Sequence, residues 1–481
     1  MEKIDRLVHN PGDFHQASHI VPQTHEEPAI NKQGHPGGRR YQGPLGAGRE
    51  IVRVLPVPPG CWYPALPPTM ATRVDQPRRR HLGLLPWSVI VLVIAIVFGF
   101  YFGGHVPPFQ SFGRLAQPKD SSVWWWRCSQ IHHPFMEGCE HIWLDARDRK
   151  LYGVCTNATS PKDWNPGGGP ATAWARSLRD HIAVLELDHL GRKNEYTIQQ
   201  LEISGTFSRG LNLHGFDARR VGNRLRFWLT NHTPALDPTT GNVLDVQTES
   251  SVEVFDLDRR SGKLVHVKSI SSPALDSPNS LALDKDGTGF LVINGGRTKV
   301  GPFRGGPLQF GSSSISYCQT ETGLCRTVAS QGFDLANSIA MGHDGLAYIS
   351  MSSTGTLAAY KMVENEFIHI NSLSLGSALD RLSVDAQGNI LITAFTDPVE
   401  LQEASTNPLA SVTAGTVLMV SRKNGRSEKP DREEYILQPM LEDEAAKLMS
   451  TTTTAVHDVR SNRIFLAGVF LPGISICEKR S

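Results

Sequence analysis

Six times in this chain the same phrase returns: an apolar run, a turn cluster, then a second apolar run. The copies are "HIWLDARDRKLYGV", "HGFDARRVGNRLRFWLTN", "LALDKDGTGFLVIN", "IAMGHDGLAYISM", "LSVDAQGNILITAF" and "AVHDVRSNRIFLAGVF". Anchored on Asp145, Asp217, Asp284, Gly342, Asp385 and Asp458, they stand 43 to 73 residues apart. Between copies lies a second hairpin, such as "SVEVFDLDRRSGKLVHVKSI" or "TLAAYKMVENEFIHINSL". Two hairpins per repeat make four strands, and six four-stranded units predict an all-β, six-bladed β-propeller, whose radial packing leaves only short, protected sheet edges. The sixth copy has no second hairpin of its own. The ring therefore closes only if "SSVWWWRCSQI", upstream of the first copy, supplies the missing outer strand.

Hydropathy divides the rest of the 481 residues. Residues 1–81 are rich in Pro, Gly, His and Arg without strand or helix periodicity, which predicts a disordered tail. Leu82 to Gly104 carries no charged residue, long enough to span a hydrocarbon core of about 30 Å, and predicts a single transmembrane helix. Arg73, Arg78, Arg79 and Arg80 flank its N-terminal side, and no charge follows it until Arg114. The positive-inside rule then places the tail in the cytosol and all that follows in the lumen or outside the cell, as in a type II membrane protein. Residues 105–122 read as a stem and 123–481 as the propeller. A net charge of +1 gives no reason to expect a nucleic-acid partner.

Cysteine usage agrees with that orientation. One cysteine, Cys61, falls on the cytosolic side, while Cys128, Cys139, Cys155, Cys318, Cys325 and Cys477 form an even set on the oxidising side. Closing the ring with the N-terminal strand would bring Cys128 to Cys477. Cys318 and Cys325 flank one hairpin turn, which leaves Cys139 with Cys155; six cysteines allow about 15 arrangements, so spacing alone leaves the connectivity open. Asn157 and Asn231 each begin an Asn-X-Thr sequon and are expected glycosylation sites on that side.

Alignment of the six phrases exposes a pattern that packing does not require. Five residues before each anchor stand Glu140, Asn212, Asn279, Asn337, Asp380 and Thr453, all bearing side-chain oxygen. The first strand of a propeller blade lines the central channel, so these positions converge on the axis. Converging oxygens suit a hard cation such as calcium (Ca2+), and Glu140, Asn279, Asn337 and Asp380 are the expected metal ligands. Asn and Asp are also ordinary turn residues at a strand entrance, a reading that fits Asn212 and Thr453 well and Glu140 poorly.

His214 lies two residues past its ring position, and His232 follows the next strand, so the two approach at one blade end. Paired imidazoles beside a metal can move protons near neutral pH. A satisfied packing histidine is the plain alternative. Other catalytic frameworks are missing from the ectodomain sequence: it holds no G-x-S-x-G, no H-E-x-x-H, no Walker A motif and no Cys/His zinc spacing.

In this order, "LNLHGF", "TNHT", "SVEVFDLDRRSGKLVHVKSI", "SPNSLAL", "FDLANSIAM", "LDRLSVDAQGNILI" and "FLAGVFLPGISIC" together resemble the paraoxonase/arylesterase family, from about Cys128 to Cys477. The resemblance implies a calcium-containing six-bladed propeller, closed by a disulfide, that hydrolyses lactones and aryl esters. It implies Glu140, Asn279, Asn337 and Asp380 as catalytic-calcium ligands and His214 with His232 as the histidine dyad. A small-molecule ester or lactone would be the substrate, and the membrane would be met through the single anchor.

Three departures stand out. Arg381 occupies the position of the family's fifth catalytic-calcium ligand, an Asn. His141 and Ser280 stand where acidic residues hold a second, structural calcium, so that site is expected to be absent. Asn294-Gly295-Gly296 replaces an Asn-Asp-His. Two other expectations therefore remain beside the hydrolase: an enzyme of the related strictosidine-synthase-like propeller group, and a non-catalytic binding or scaffold propeller.

Overall fold

In a computed structural model, residues 126–158, 178–190, 195–205, 207–295, 313–364, 366–395, 413–422, 435–443 and 450–480 are described. The expected tail, transmembrane span at 82–104 and stem lie outside them. Among the described residues no helix is long and apolar enough to cross a membrane.

The described residues form six sheets, five of four strands and one of five, antiparallel except at one short edge strand. Numbered from the first phrase, the blades begin with the strands His141–Asp145, Leu213–Val221, Pro278–Leu283, Ala336–Met341, Ala378–Val384 and Thr454–Asp458. Each of these first strands contacts the first strand of the next blade, and the sixth contacts the first. They are thus the inner wall of a closed six-bladed propeller. In blade 2 the short strand Ile203–Ser204 adds to the outer edge by running parallel to Lys263–Ile270.

Closure happens as the missing hairpin requires. Trp126–His132 pairs antiparallel with Gly473–Lys479 and becomes the outermost strand of blade 6. Cys128 faces Cys477 in that register, and the two form a disulfide 349 residues apart in sequence. In the chain-entropy model, closing so long a loop stabilises the fold on the order of 5 kcal/mol. Cys139–Cys155 and Cys318–Cys325 are the other two disulfides.

The core is not central but lies between blades. Six large apolar clusters each join two neighbouring blades: Trp228, Val254, Leu281 and Phe290 between blades 2 and 3, for example, and Ile142, Leu185, Phe465 and Ile476 between blades 1 and 6. The second strands are packed on both faces, which is why "GFLVIN" and "ILITAF" are buried throughout. The anchor aspartates serve the turns. Asp145 and Asp385 each accept two backbone N–H groups of the turn that follows through Oδ1. Their other oxygens reach the next blade, Asp145 to Arg220 and Asp385 to His457. At the seam between first and last blades, buried Arg149 makes a bidentate pair with Asp458 and also reaches Asp188.

Candidate functional site

At three of the ring positions, in blades 3, 4 and 5, the inner strand breaks register, and in blade 2 it breaks two residues past Asn212. In blade 3 the ladder skips Asn279, and in blade 4 it skips Asn337. In blade 5 it skips two residues, Asp380 and Arg381, and in blade 2 it skips His214 and Gly215. A β-bulge frees a residue from pairing and re-aims its side chain. Glu140 and Thr453 sit immediately before the inner strands of blades 1 and 6.

Glycine at 215 is a steric necessity. A Cβ there would lie 2.5 Å from the carbonyl oxygen of Asn279, so only glycine lets blade 2 approach blade 3 this closely. That approach carries His214 to the axis, where its Nε2 lies 2.7 Å from Oε1 of Glu140. His214 is buried, whereas Glu140 retains 16 % side-chain exposure and is half-buried with Asn279 and Asn337.

Arg381 answers the question raised by its position. Its side chain is 1 % exposed and points inward. Nε donates to the carbonyl of Glu140 at 3.1 Å, and Nη2 donates to Glu140 Oε1 at 3.2 Å and to the carbonyl of His214 at 3.3 Å. Its backbone N–H reaches the carbonyl of Thr453, whose hydroxyl in turn donates to the carbonyl of Glu140. Across the ring, Asn279 donates its carboxamide to the carbonyl of Asn337, and Asp380 bonds the Asn337 side chain.

The two ring carboxyls are pushed in opposite directions. Burial would raise Glu140, but the charges and hydrogen bonds of His214 and Arg381 outweigh it and hold the carboxyl down at about 2. For Asp380, burial dominates; Arg381 pulls the other way, and the nearby Glu140 charge adds to the rise, leaving it at about 7. His141 is held well below the usual imidazole range by burial and by the charges of Arg381 and His214. Its Nδ1 accepts the N–H of Phe216, which requires that nitrogen to be unprotonated. Ser280 accepts the N–H of Ile339 in the same manner. Both residues thus join one blade to the next.

These groups do not fit a calcium ion as they stand. A permanently charged guanidinium lies on the carboxylate that would be the strongest ligand. The Asn279 amide nitrogen donates to Asn337, and its Oδ1, which has no hydrogen-bond donor among the described residues, is the one acceptor here that a cation would satisfy. Glu140, Asn279, Asn337 and Asp380 do come together on the axis, as their spacing predicts, but around an arginine.

The two histidines come together at the blade end as expected, and His214 has Glu140 as a further partner. The rings of His214 and His232 lie edge to face with centroids 6.2 Å apart. His232 is fully buried, with Nδ1 3.1 Å from the hydroxyl of Ser250. The charged partner of His214 is Glu140 rather than His232, because Gly215 draws blade 2 inward. Asn212, the remaining ring position, is buried and uses its backbone: its N–H donates to Asn231 and its carbonyl accepts from His232. This corrects one sequon. Asn231 is fully buried, with both ends of its carboxamide hydrogen-bonded to Asn212 and Gly210, which leaves no room for a glycan in the folded chain. Asn157 is exposed.

No family model and no curated protein matches the chain. Among solved structures, it is similar to a luciferin-regenerating enzyme at 10 % identity and a TM-score of 0.39, covering 73 % of this chain and 95 % of that one. It is similar to a catalytically inactive virginiamycin B lyase from Staphylococcus aureus, at 10 % identity and a TM-score of 0.39, over 74 % of this chain and all of that one. It is similar to YCF48 bound to a D1 peptide, at 11 % identity and a TM-score of 0.40, over 77 % of this chain and all of that one. Likeness at this level carries no argument about activity.

Proposed function

We propose that the propeller is a hydrolase of small esters or lactones, with His214 as the proton-transfer group and Glu140 as the carboxylate that orients it. The observation that carries this reading is the 2.7 Å contact between His214 Nε2 and Glu140 Oε1 at the channel axis. A carboxylate on one imidazole nitrogen fixes the tautomer and makes the ring a better base toward a water molecule. Water would add to the substrate carbonyl as His214 takes its proton, and the same proton would return to the departing alkoxide. The carboxamides of Asn279 and Asn337, half-buried and at the same ring depth as Glu140 in their blades, are the neutral donors suited to the oxyanion. His232 would act by packing against His214. No step here passes through a metal ion.

Localisation belongs to the same proposal. Three disulfides in one domain support an oxidising compartment, consistent with a type II anchor that leaves the propeller lumenal or extracellular. Exposed Asn157 would there be open to glycosylation.

A panel of aryl esters and lactones, offered to the full-length protein, tests the reading. Turnover should fall by at least about a hundredfold in His214→Gln. A folded wild type inert toward the whole panel would overturn the hydrolase. One observation favours a second reading, a binding propeller: Glu140 is already engaged by both Arg381 and His214. The inert outcome would support it.

A further inference from the structure

We infer that Arg381 is the resident cation of the channel, a positioning residue whose guanidinium holds the mouth of the propeller together without a divalent ion. This rests on the geometry of the ring and not on the hydrolase reading. Arg381 belongs to blade 5, and blade 2 stands directly opposite in a six-bladed ring. Its side chain crosses the channel, bonding Glu140 of blade 1 on both carbonyl and carboxylate and the carbonyl of His214 on blade 2. Its backbone N–H bonds Thr453 beside blade 6. One residue therefore ties four of the six blades. The others are joined by the bond from Asn279 to the carbonyl of Asn337 and by that of Asn337 to Asp380.

A metal ion at the axis would make such ties by drawing oxygens from several blades to one positive charge. Arg381 makes them with a charge built into the chain, on a backbone that skips two residues of pairing to deliver it. Burying it to 1 % exposure costs desolvation, which the carboxylate and the two carbonyls that accept its hydrogen bonds offset. One nitrogen, Nη1, has no acceptor among the described residues and lies beside Gly215, on the His214 side of the ring. Arg381 thereby sets where Glu140 and His214 stand.

The substitution Arg381→Asn separates this role from simple packing, because it removes the charge and adds a carboxamide oxygen to those of Glu140, Asn279, Asn337 and Asp380. Thermal unfolding of the full-length protein would be followed in chelator and in millimolar calcium. The wild type should unfold at the same temperature in both. The variant should unfold earlier in chelator and recover by about 5 °C or more with calcium. A wild type that loses stability in chelator overturns the inference, as does a folded variant indifferent to calcium. Should Arg381→Asn fail to fold, Arg381→Lys keeps a cation, and it should fold and ignore calcium; calcium-dependent folding of the lysine variant would overturn the inference equally.

Discussion

Two buried arginines hold this ring shut, and they are satisfied very differently. Arg149, at the seam of blades 1 and 6, gives two hydrogen bonds to Asp458 and two more to Asp188. Hydrogen bonding to Asp458, above all, lifts its pKa further beyond its usual value. Arg381, at the axis, is more deeply buried yet meets one carboxylate oxygen and two carbonyls. A guanidinium between two carboxylates is a fastening. One that shares a carboxylate of 16 % exposure with a histidine is part of a site, since the carboxylate stays within reach of a ligand and the histidine stays beside it.

The largest effect should follow loss of the fastening. Arg149→Met leaves Asp458, 1 % exposed, without its bidentate partner and should cost about 3 to 5 kcal/mol in denaturant unfolding. Acid should reveal the ring next. Glu140 has its folded pKa depressed from 4.5 to about 2 with His214, Arg381 and Asp380 around it. Its contribution is complete above the unfolded value and is lost as pH falls from about 4.5 through 2, a change of roughly 3 kcal/mol. Glu140→Gln should flatten that stretch of a stability–pH curve; an unchanged slope would detach the carboxylate from Arg381 and His214. Smallest is Arg381→Met without calcium, about 2 kcal/mol, because Glu140 keeps His214 and some solvent. If its cost equals that of Arg149→Met, the contrast between fastening and site disappears.

The fold was legible in the sequence because a propeller writes one phrase per blade. The closure was legible because the sixth phrase lacked a partner hairpin. The ring positions were also readable, since five-residue spacing from the turn anchors, five aspartates and Gly342, marks one depth along each inner strand. What the spacing could not give was the bulges. Blades 3 and 4 skip one residue at the ring, blade 5 skips two there and so sends both Asp380 and Arg381 off the ladder, and blade 2 skips two just past Asn212, which frees His214. The approach of His214 to His232 across blade 2 was readable, but not the contact with Glu140, which depends on Gly215 letting the blade close on blade 3. Burial of Asn231 follows from the same entry loop, where its carboxamide ties Gly210 to Asn212.

The central claim is that the charge at the axis belongs to Arg381. Equilibrium dialysis of the full-length protein against calcium, followed by elemental analysis of metal per chain, tests it most directly. The wild type should retain no calcium above a protein-free buffer blank, and Arg381→Asn should retain about one ion per chain. One calcium held by the wild type, released by chelator and regained on return, would contradict it.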